Sequence, residues 1–340
     1  MISLLQGTQR DARIVPEPSP DEGYVSNVQQ HAQSMIDVQH LTKTFGKDIA
    51  VDDVSFQVDQ GEIFGFLGPN GAGKTTTMRM LCCLISKTTG DAHISGFDIG
   101  NPADSLQIRK MIGLVPDAVG LYEELSAYDN LDFYGKLYEC TEPQRKANIE
   151  KFLTMLDLWD KRDQPVGNFS KGMKQKVAVA RALVHDPAVL FMDEPTANLD
   201  PESSKVVTDF ILELRREGKT IFLNTHNLDE AQRMCDRIGI LKTSLLTVNT
   251  PDELRKAVWG SNTVIQLADV DDTIISAVQS LNPKNLVRDG NQFTFAVDDP
   301  LADNPKFVQA IVAAGGRVQY VKELNPALEE TYLRIIQETR

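Results

Sequence analysis

From Ile36 the chain alternates apolar and polar residues, as Ile-Asp-Val-Gln-His-Leu and again as Val54-Ser-Phe-Gln-Val58. That is the period-2 pattern of half-buried antiparallel strands, so a small antiparallel sheet is expected. Ile63-Phe-Gly-Phe-Leu67, Val189-Leu-Phe-Met192 and Thr220-Ile-Phe-Leu223 are apolar on both faces. Such strands belong in a parallel sheet covered by helices, so the core reads as α/β. Between the first two of them Ile149, Phe152, Leu153, Leu156 and Leu158 recur at helical spacing, in a region too long for a simple crossover. It predicts an inserted helical subdomain over about residues 117–185.

The two ends read differently. Gln6 to about Gln33 is polar, holds Pro16, Pro18 and Pro20, and shows neither period, which predicts a mobile tail over residues 1–34. Past Thr250 the spacing shortens, and a boundary is expected near Gly260. A strand (Thr263–Leu267), a helix (Asp272–Leu281), two strands around Asp289-Gly290, a helix (Pro305–Ala314) and a strand (Arg317–Val321) follow, with a last helix from Leu328 to Gln337. The order βαββαβ, with Asp-Gly as its hairpin turn, predicts a ferredoxin-like α+β accessory domain over 261–340 after a main domain over 35–250.

Composition narrows the function. The 48 acids and 35 bases leave a formal charge of −13, the wrong sign for gripping nucleic acid through diffuse positive charge. Cys82, Cys83, Cys140 and Cys235 form no C-x-x-C pair, which predicts small buried hydrophobes in a reducing cytosol. No stretch approaches 18 apolar residues, and the start has too short an apolar core for a secretory signal. The chain is expected to be soluble by itself, so a membrane role would run through a separate partner.

The chemistry begins at Gly68-Pro69-Asn70-Gly71-Ala72-Gly73-Lys74-Thr75, which matches G-x-x-x-x-G-K-[ST] directly after a buried strand and before a helical run from Thr76. Glycines let the backbone N–H groups turn inward around an anion at a helix N-terminus. Lys74 offers a charge to the β- and γ-phosphates, and the Thr75 hydroxyl can bind Mg²⁺. A chance Gly-rich turn would not come with strand, loop and helix in order. Asp193 and Glu194 then close a buried strand, the first placed to hold magnesium and the second to orient and deprotonate water. Ser170-Lys-Gly-Met-Lys-Gln175 lies 23 positions before Asp193 and opens a helix written over Val177–Leu183. A Ser cap followed by Gly172 makes a second anion site at a helix end. Two such ends for one nucleotide make sense if one comes from another subunit.

Here the sequence resembles the ATP-binding cassette family, specifically the ATPase subunits of ABC-2 type transporters, over about Ile36 to Leu241 and more loosely through Leu328-Glu-Glu-Thr-Tyr-Leu333. The resemblance implies ATP and Mg²⁺ as ligands, a head-to-tail homodimer, a separate integral membrane permease and a place on the inner face of the cell membrane. Export is the implied direction. The family signature Leu-Ser-Gly-Gly-Gln reads Phe169-Ser-Lys-Gly-Met173 here, so Ser170 and Gly172 match while Met173 loses an amide. Phe45 stands where an aromatic stacks on adenine, Asp200 in the segment that crosses between subunits, and His226 where a switch histidine meets the γ-phosphate. Asp117 replaces the usual Gln beside Mg²⁺. The stretch Val119 to Tyr138, rich in aromatics, reads both as subdomain core and as the surface that docks a membrane partner.

Two rivals stand beside the transport reading. A soluble cassette on ribosomes or DNA fits less well: one cassette is present, with 119 residues from Lys74 to Asp193, and Ser261–Arg340 carries eleven acids against seven bases. A weakly hydrolysing regulatory cassette is suggested by Asp117.

Overall fold

The computed structural model describes residues 34–324 and 326–338. The tail expected over 1–34 lies, except for Ser34, outside the described residues. In chain order the elements are β1 (Ser34–Phe45), β2 (Asp48–Asp59), β3 (Ile63–Leu67), α1 (Lys74–Leu81), β4 (Thr89–Ile94), β5 (Phe97–Asp98), α2 (Pro102–Met111), β6 (Ile112–Val115) and α3 (Ala127–Leu137). Next come α4 (Glu142–Met155), α5 (Lys171–Leu183), β7 (Val189–Asp193), α6 (Pro201–Arg216), β8 (Thr220–Thr225), α7 (Leu228–Met234), β9 (Arg237–Lys242), β10 (Ser244–Asn249) and α8 (Pro251–Trp259). The chain ends with β11 (Ser261–Leu267), α9 (Asp272–Ser280), β12 (Lys284–Asp289), β13 (Gln292–Val297), α10 (Pro300–Ala313), β14 (Val318–Glu323) and α11 (Leu328–Glu338).

Three sheets result. The antiparallel sheet β2-β1-β4-β5 is built on a hairpin longer than the alternation alone marked. The central sheet runs β10-β9-β3-β8-β7-β6, parallel from β9 through β6, with β10 antiparallel at its edge. Every residue of β3, β7 and β8 is buried, which is why those stretches carry no alternation. Phe56 of β2 stacks on Phe64 of β3 with ring centroids 5.2 Å apart, and Phe66 and Phe222 extend the cluster that joins the two sheets.

The inserted helices α3, α4 and α5 share a core with the central sheet through Leu131, Ile149, Phe152, Leu153 and Val177. The signature helix starts at Lys171, earlier than its apolar periodicity suggested, because the Ser170 hydroxyl accepts from the Met173 N–H at 3.2 Å and caps it there.

The third sheet, β12-β13-β11-β14, is wholly antiparallel and encloses its own core of Ile265, Ile274, Phe293, Phe295, Phe307 and Ile311. Counted from β11, its strand order is 2-3-1-4, that of a ferredoxin-like unit. The helix expected from Pro305 begins instead at Pro300, where Asp299 accepts from two N–H groups, and Pro305 sits inside it. Helix α11 returns to the cassette: Leu328 joins the main core, and the Trp259 indole N–H donates to Thr331 Oγ1 at 3.0 Å.

Candidate nucleotide site

Parallel register decides where the chemistry meets. Leu67 of β3 lies opposite Thr225 of β8, and Asp193 of β7 opposite Asn224 of β8, so three strands end together at one edge of the sheet. Loops leaving the carboxyl ends of such strands form the ligand crevice of α/β sheets. The crevice here is lined by Asn70 through Thr76, with Asp117, Asp193, Glu194 and His226.

The loop's glycines answer separate demands. Gly71 and Gly73 have φ of 80° and 100°, the left-handed region that side chains resist. Gly68 has an ordinary φ, but a Cβ there would collide with the Leu241 carbonyl oxygen. Helix α1 has Gly73 as its N-cap, with no side-chain cap and no acid in its first turn, which leaves its N–H groups free for an anion. Lys74 is buried and its Nζ curls back to the carbonyl oxygens of Gly68 at 2.6 Å and Pro69 at 3.2 Å. Burial pulls its pKa below the ordinary lysine value, against the opposing charges of Glu194 and Asp193. Gly68 and Pro69 line a second cavity, with Glu329, Tyr332 and Leu333, that adjoins the crevice at Asn70 and His226.

Opposite the loop, the Thr75 hydroxyl donates to Asp193 Oδ2 at 2.9 Å. Among the described residues no trio of His, Cys, Asp or Glu forms a metal cage. Two hard oxygens beside an open anion site nonetheless suit Mg²⁺, which takes few protein ligands and fills its octahedron with phosphate and water. Glu194 adopts φ 52°, a strained conformation for a non-glycine residue, and its N–H donates to the Asn224 carbonyl at 2.9 Å. His226 Nδ1 lies 2.8 Å from Glu194 Oε1. Asp117 is exposed on the crevice wall.

The other expected site residues do not line this crevice. Phe45 is 51% exposed at the end of β1, with Lys43 Nζ 4.8 Å from its ring centroid, so it is not a core residue. Ser170 is exposed at the start of α5, while Met173 is half-buried with Lys161 Nζ 3.8 Å from its sulfur. Gly172 is buried: a Cβ there would lie 2.9 Å from Ser203 Cβ and 3.4 Å from Asp200 Oδ2. Its smallness therefore has a reason within the same chain, the close approach of α5 to the start of α6. Asp200 caps α6 by accepting from the Ser203 N–H at 2.9 Å, and that bond holds its carboxyl below the usual range.

Several supporting residues escaped the linear reading. Arg181 on α5 donates through Nη1 to the carbonyls of Val119 at 2.7 Å and Gly120 at 2.8 Å, fixing the loop just beyond Asp117. The buried Glu230 of α7 accepts from the hydroxyls of Thr196 and Ser204, which flank Ala197–Asp200. Spacing in the sequence carries no signal for either. The aromatic stretch divides between core and surface: Leu131 is buried, while Tyr122, Leu125, Phe133 and Leu137 are exposed.

Comparison with known proteins agrees with this geometry. The family described as "ABC transporter" matches residues 51–197. The linearmycin resistance ATP-binding protein LnrL of Bacillus subtilis is 32% identical over 282 residues, covering 82% of this chain and 89% of that protein. The Nod factor export ATP-binding protein I of Cupriavidus metallidurans is 32% identical over 304 residues, covering 89% and 97%. Among solved structures, the ATP-binding subunit of an ABC transporter superposes with a TM-score of 0.61 at 29% identity, covering 66% of this chain and 93% of that one. A dimeric ATP-binding cassette in a post-hydrolysis state, bound to ADP and Pi, gives 0.58 at 26%, covering 64% and 98%. The chain belongs to the ABC transporter family, as one of its ATP-binding and ATP-hydrolysing subunits.

Proposed function

We propose that two copies of this chain sandwich ATP head to tail and that hydrolysis drives export through a separate membrane permease. The observation that carries the reading is the division of the site: phosphate loop, Asp193, Glu194 and His226 share one crevice, while Ser170 lies exposed at the start of α5, outside it. A second copy supplies the missing half. The relatives named for linearmycin resistance and for Nod factor export support the direction.

In this reading the cassette is residues 35–250 and the accessory domain 261–340. The N–H groups at the start of α1 and Lys74 bind the β- and γ-phosphates, and Phe45 stacks on the base. Thr75 and Asp193, with Asp117 nearby, would hold Mg²⁺, which would supply neutralisation of phosphate charge. Glu194 orients the attacking water and takes its proton, and His226 holds Glu194 and meets the γ-phosphate. Ser170, Gly172 and Met173 of one copy close on the nucleotide of the other, with Asp200 in the segment between them. Among the described residues no helix is long and apolar enough to cross a membrane. In this reading the exposed Tyr122, Leu125, Phe133 and Leu137 are the surface offered to the permease, and the chain works peripherally on the inner face of the membrane.

The test is Glu194→Gln, which keeps the shape of the side chain and removes the base. ATP binding persists, phosphate release stops, and a dimer accumulates with ATP and Mg²⁺ in size-exclusion chromatography. Monomers alone under saturating ATP would contradict the composite site.

A further inference from the structure

Strand β8 reads Thr-Ile-Phe-Leu-Asn-Thr and is buried along its whole length, so Asn224 is an anomaly. Asparagine is depleted in strands, and an amide taken from water into a sheet costs free energy unless its groups are paired. Asn224 is 0% exposed and only half paired: Nδ2 donates to Asp193 Oδ1 at 3.1 Å, and Oδ1 has no partner among the described residues. The other neighbour of Nδ2 is the Met78 sulfur at 3.9 Å, a weak acceptor. A residue chosen for packing alone would be Val or Leu here, since the three residues before it, Ile221, Phe222 and Leu223, are apolar. The amide is retained for the one strong bond it makes.

That bond fixes a carboxylate with two distinct oxygens. Asp193 Oδ1 is turned to Asn224 inside the sheet, and Oδ2 is turned to Thr75 at the crevice. The main chain of the same residue holds the second acid, because the Asn224 carbonyl accepts the Glu194 N–H at 2.9 Å. Parallel register makes the double hold possible, since Asp193 and Asn224 are direct partners.

We propose that Asn224 is a positioning residue for Mg²⁺·ATP: it anchors Asp193 Oδ1 so that Oδ2 alone faces the metal beside the Thr75 hydroxyl. The inference rests on the nucleotide-site reading above and adds to it a residue that never touches nucleotide or metal. Without the amide donor, Oδ1 loses its anchor and only the Thr75 bond to Oδ2 holds the carboxylate, so its ordering is charged against metal binding. Nucleotide binding without metal does not use this carboxylate and is untouched.

The experiment titrates Mg²⁺ into the full chain with a fluorescent, non-hydrolysable ATP analogue, comparing wild type with Asn224→Val and Asn224→Ser. Valine suits a buried strand and lacks the donor, while serine is smaller and its hydroxyl is too short to span the gap. In both, the Mg²⁺ concentration for half-maximal binding rises about tenfold, as loss of a hydrogen bond to a charged group gives. Binding of the analogue in EDTA stays at the wild-type level, which a merely structural defect would not allow. A folded variant of either kind whose Mg²⁺ curve overlays the wild type overturns the proposal. If wild type itself shows no Mg²⁺-dependent binding, the nucleotide-site reading falls and takes this inference with it.

Discussion

His226 Nδ1 lies 2.8 Å from Glu194 Oε1, and the His226 N–H reaches Oε2 at 3.4 Å. One residue thus holds both oxygens of the carboxylate assigned to water, although the imidazole itself is largely exposed. His226→Ala frees Glu194 to leave its geometry. Turnover measured by phosphate release falls by about a hundredfold, the scale of a misplaced general base, while ATP binding stays within a few-fold. Equal loss of binding and turnover would show that the histidine serves ground-state affinity instead.

Lys74 gives the pH dependence. Burial holds its pKa below the ordinary lysine value, so just below that value the folded chain binds fewer protons there than the unfolded chain. Stability of the nucleotide-free protein attributable to this group therefore rises with pH across that window. In the proposed site the phosphates need the charged ammonium, so ATP affinity is expected to run the opposite way. It declines as pH climbs through the lowered pKa, and Lys74→Arg, which keeps its charge, removes the alkaline decline. Calorimetry at stepped pH, with and without nucleotide, separates the two slopes.

Gly172 and Ser203 form a pair that can be tested by compensation. A methyl group at 172 falls 2.9 Å from Ser203 Cβ and closer still to its hydroxyl oxygen. Gly172→Ala costs about 1–3 kcal/mol as overpacking between α5 and α6, read by denaturant unfolding. Ser203→Gly added to it recovers most of that loss. If the single variant is as stable as wild type but loses ATP-driven dimerisation, the glycine serves the partner's nucleotide alone.

Asn130 shapes the surface proposed to meet the permease. Its fully buried amide donates to the carbonyls of Tyr122 and Ser126 and accepts from the Tyr122 N–H, fixing the turn that displays Tyr122 and Leu125. Asn130→Ala costs about 2–3 kcal/mol through unpaired buried groups. Tyr122→Ser with Phe133→Ser removes a T-shaped pair 5.2 Å apart at exposed positions. It leaves stability and basal ATP hydrolysis near wild type and weakens copurification with the membrane subunit.

Much of this protein is written in local sequence. Strand alternation, doubly apolar strands and the Gly68–Thr75 loop are consequences of neighbours along the chain, so the α/β core, the small sheet and the loop that lines the crevice could be read directly. The ferredoxin-like order was legible for the same reason, from its hairpin turn and element spacing. The start of α10 was not: Asp299 caps the helix ahead of Pro305, and a proline inside a helix hides the true beginning.

What only the tertiary structure decided is which distant residues meet. Asn224 against Asp193, Arg181 beneath the loop after Asp117, Glu230 between Thr196 and Ser204, and Leu328 in the cassette core are set by parallel register and helix packing. A buried amide has the same letter as an exposed one. Its partner is fixed only when two strands far apart in the chain lie side by side, and that pairing depends on the whole core rather than on any short stretch of sequence.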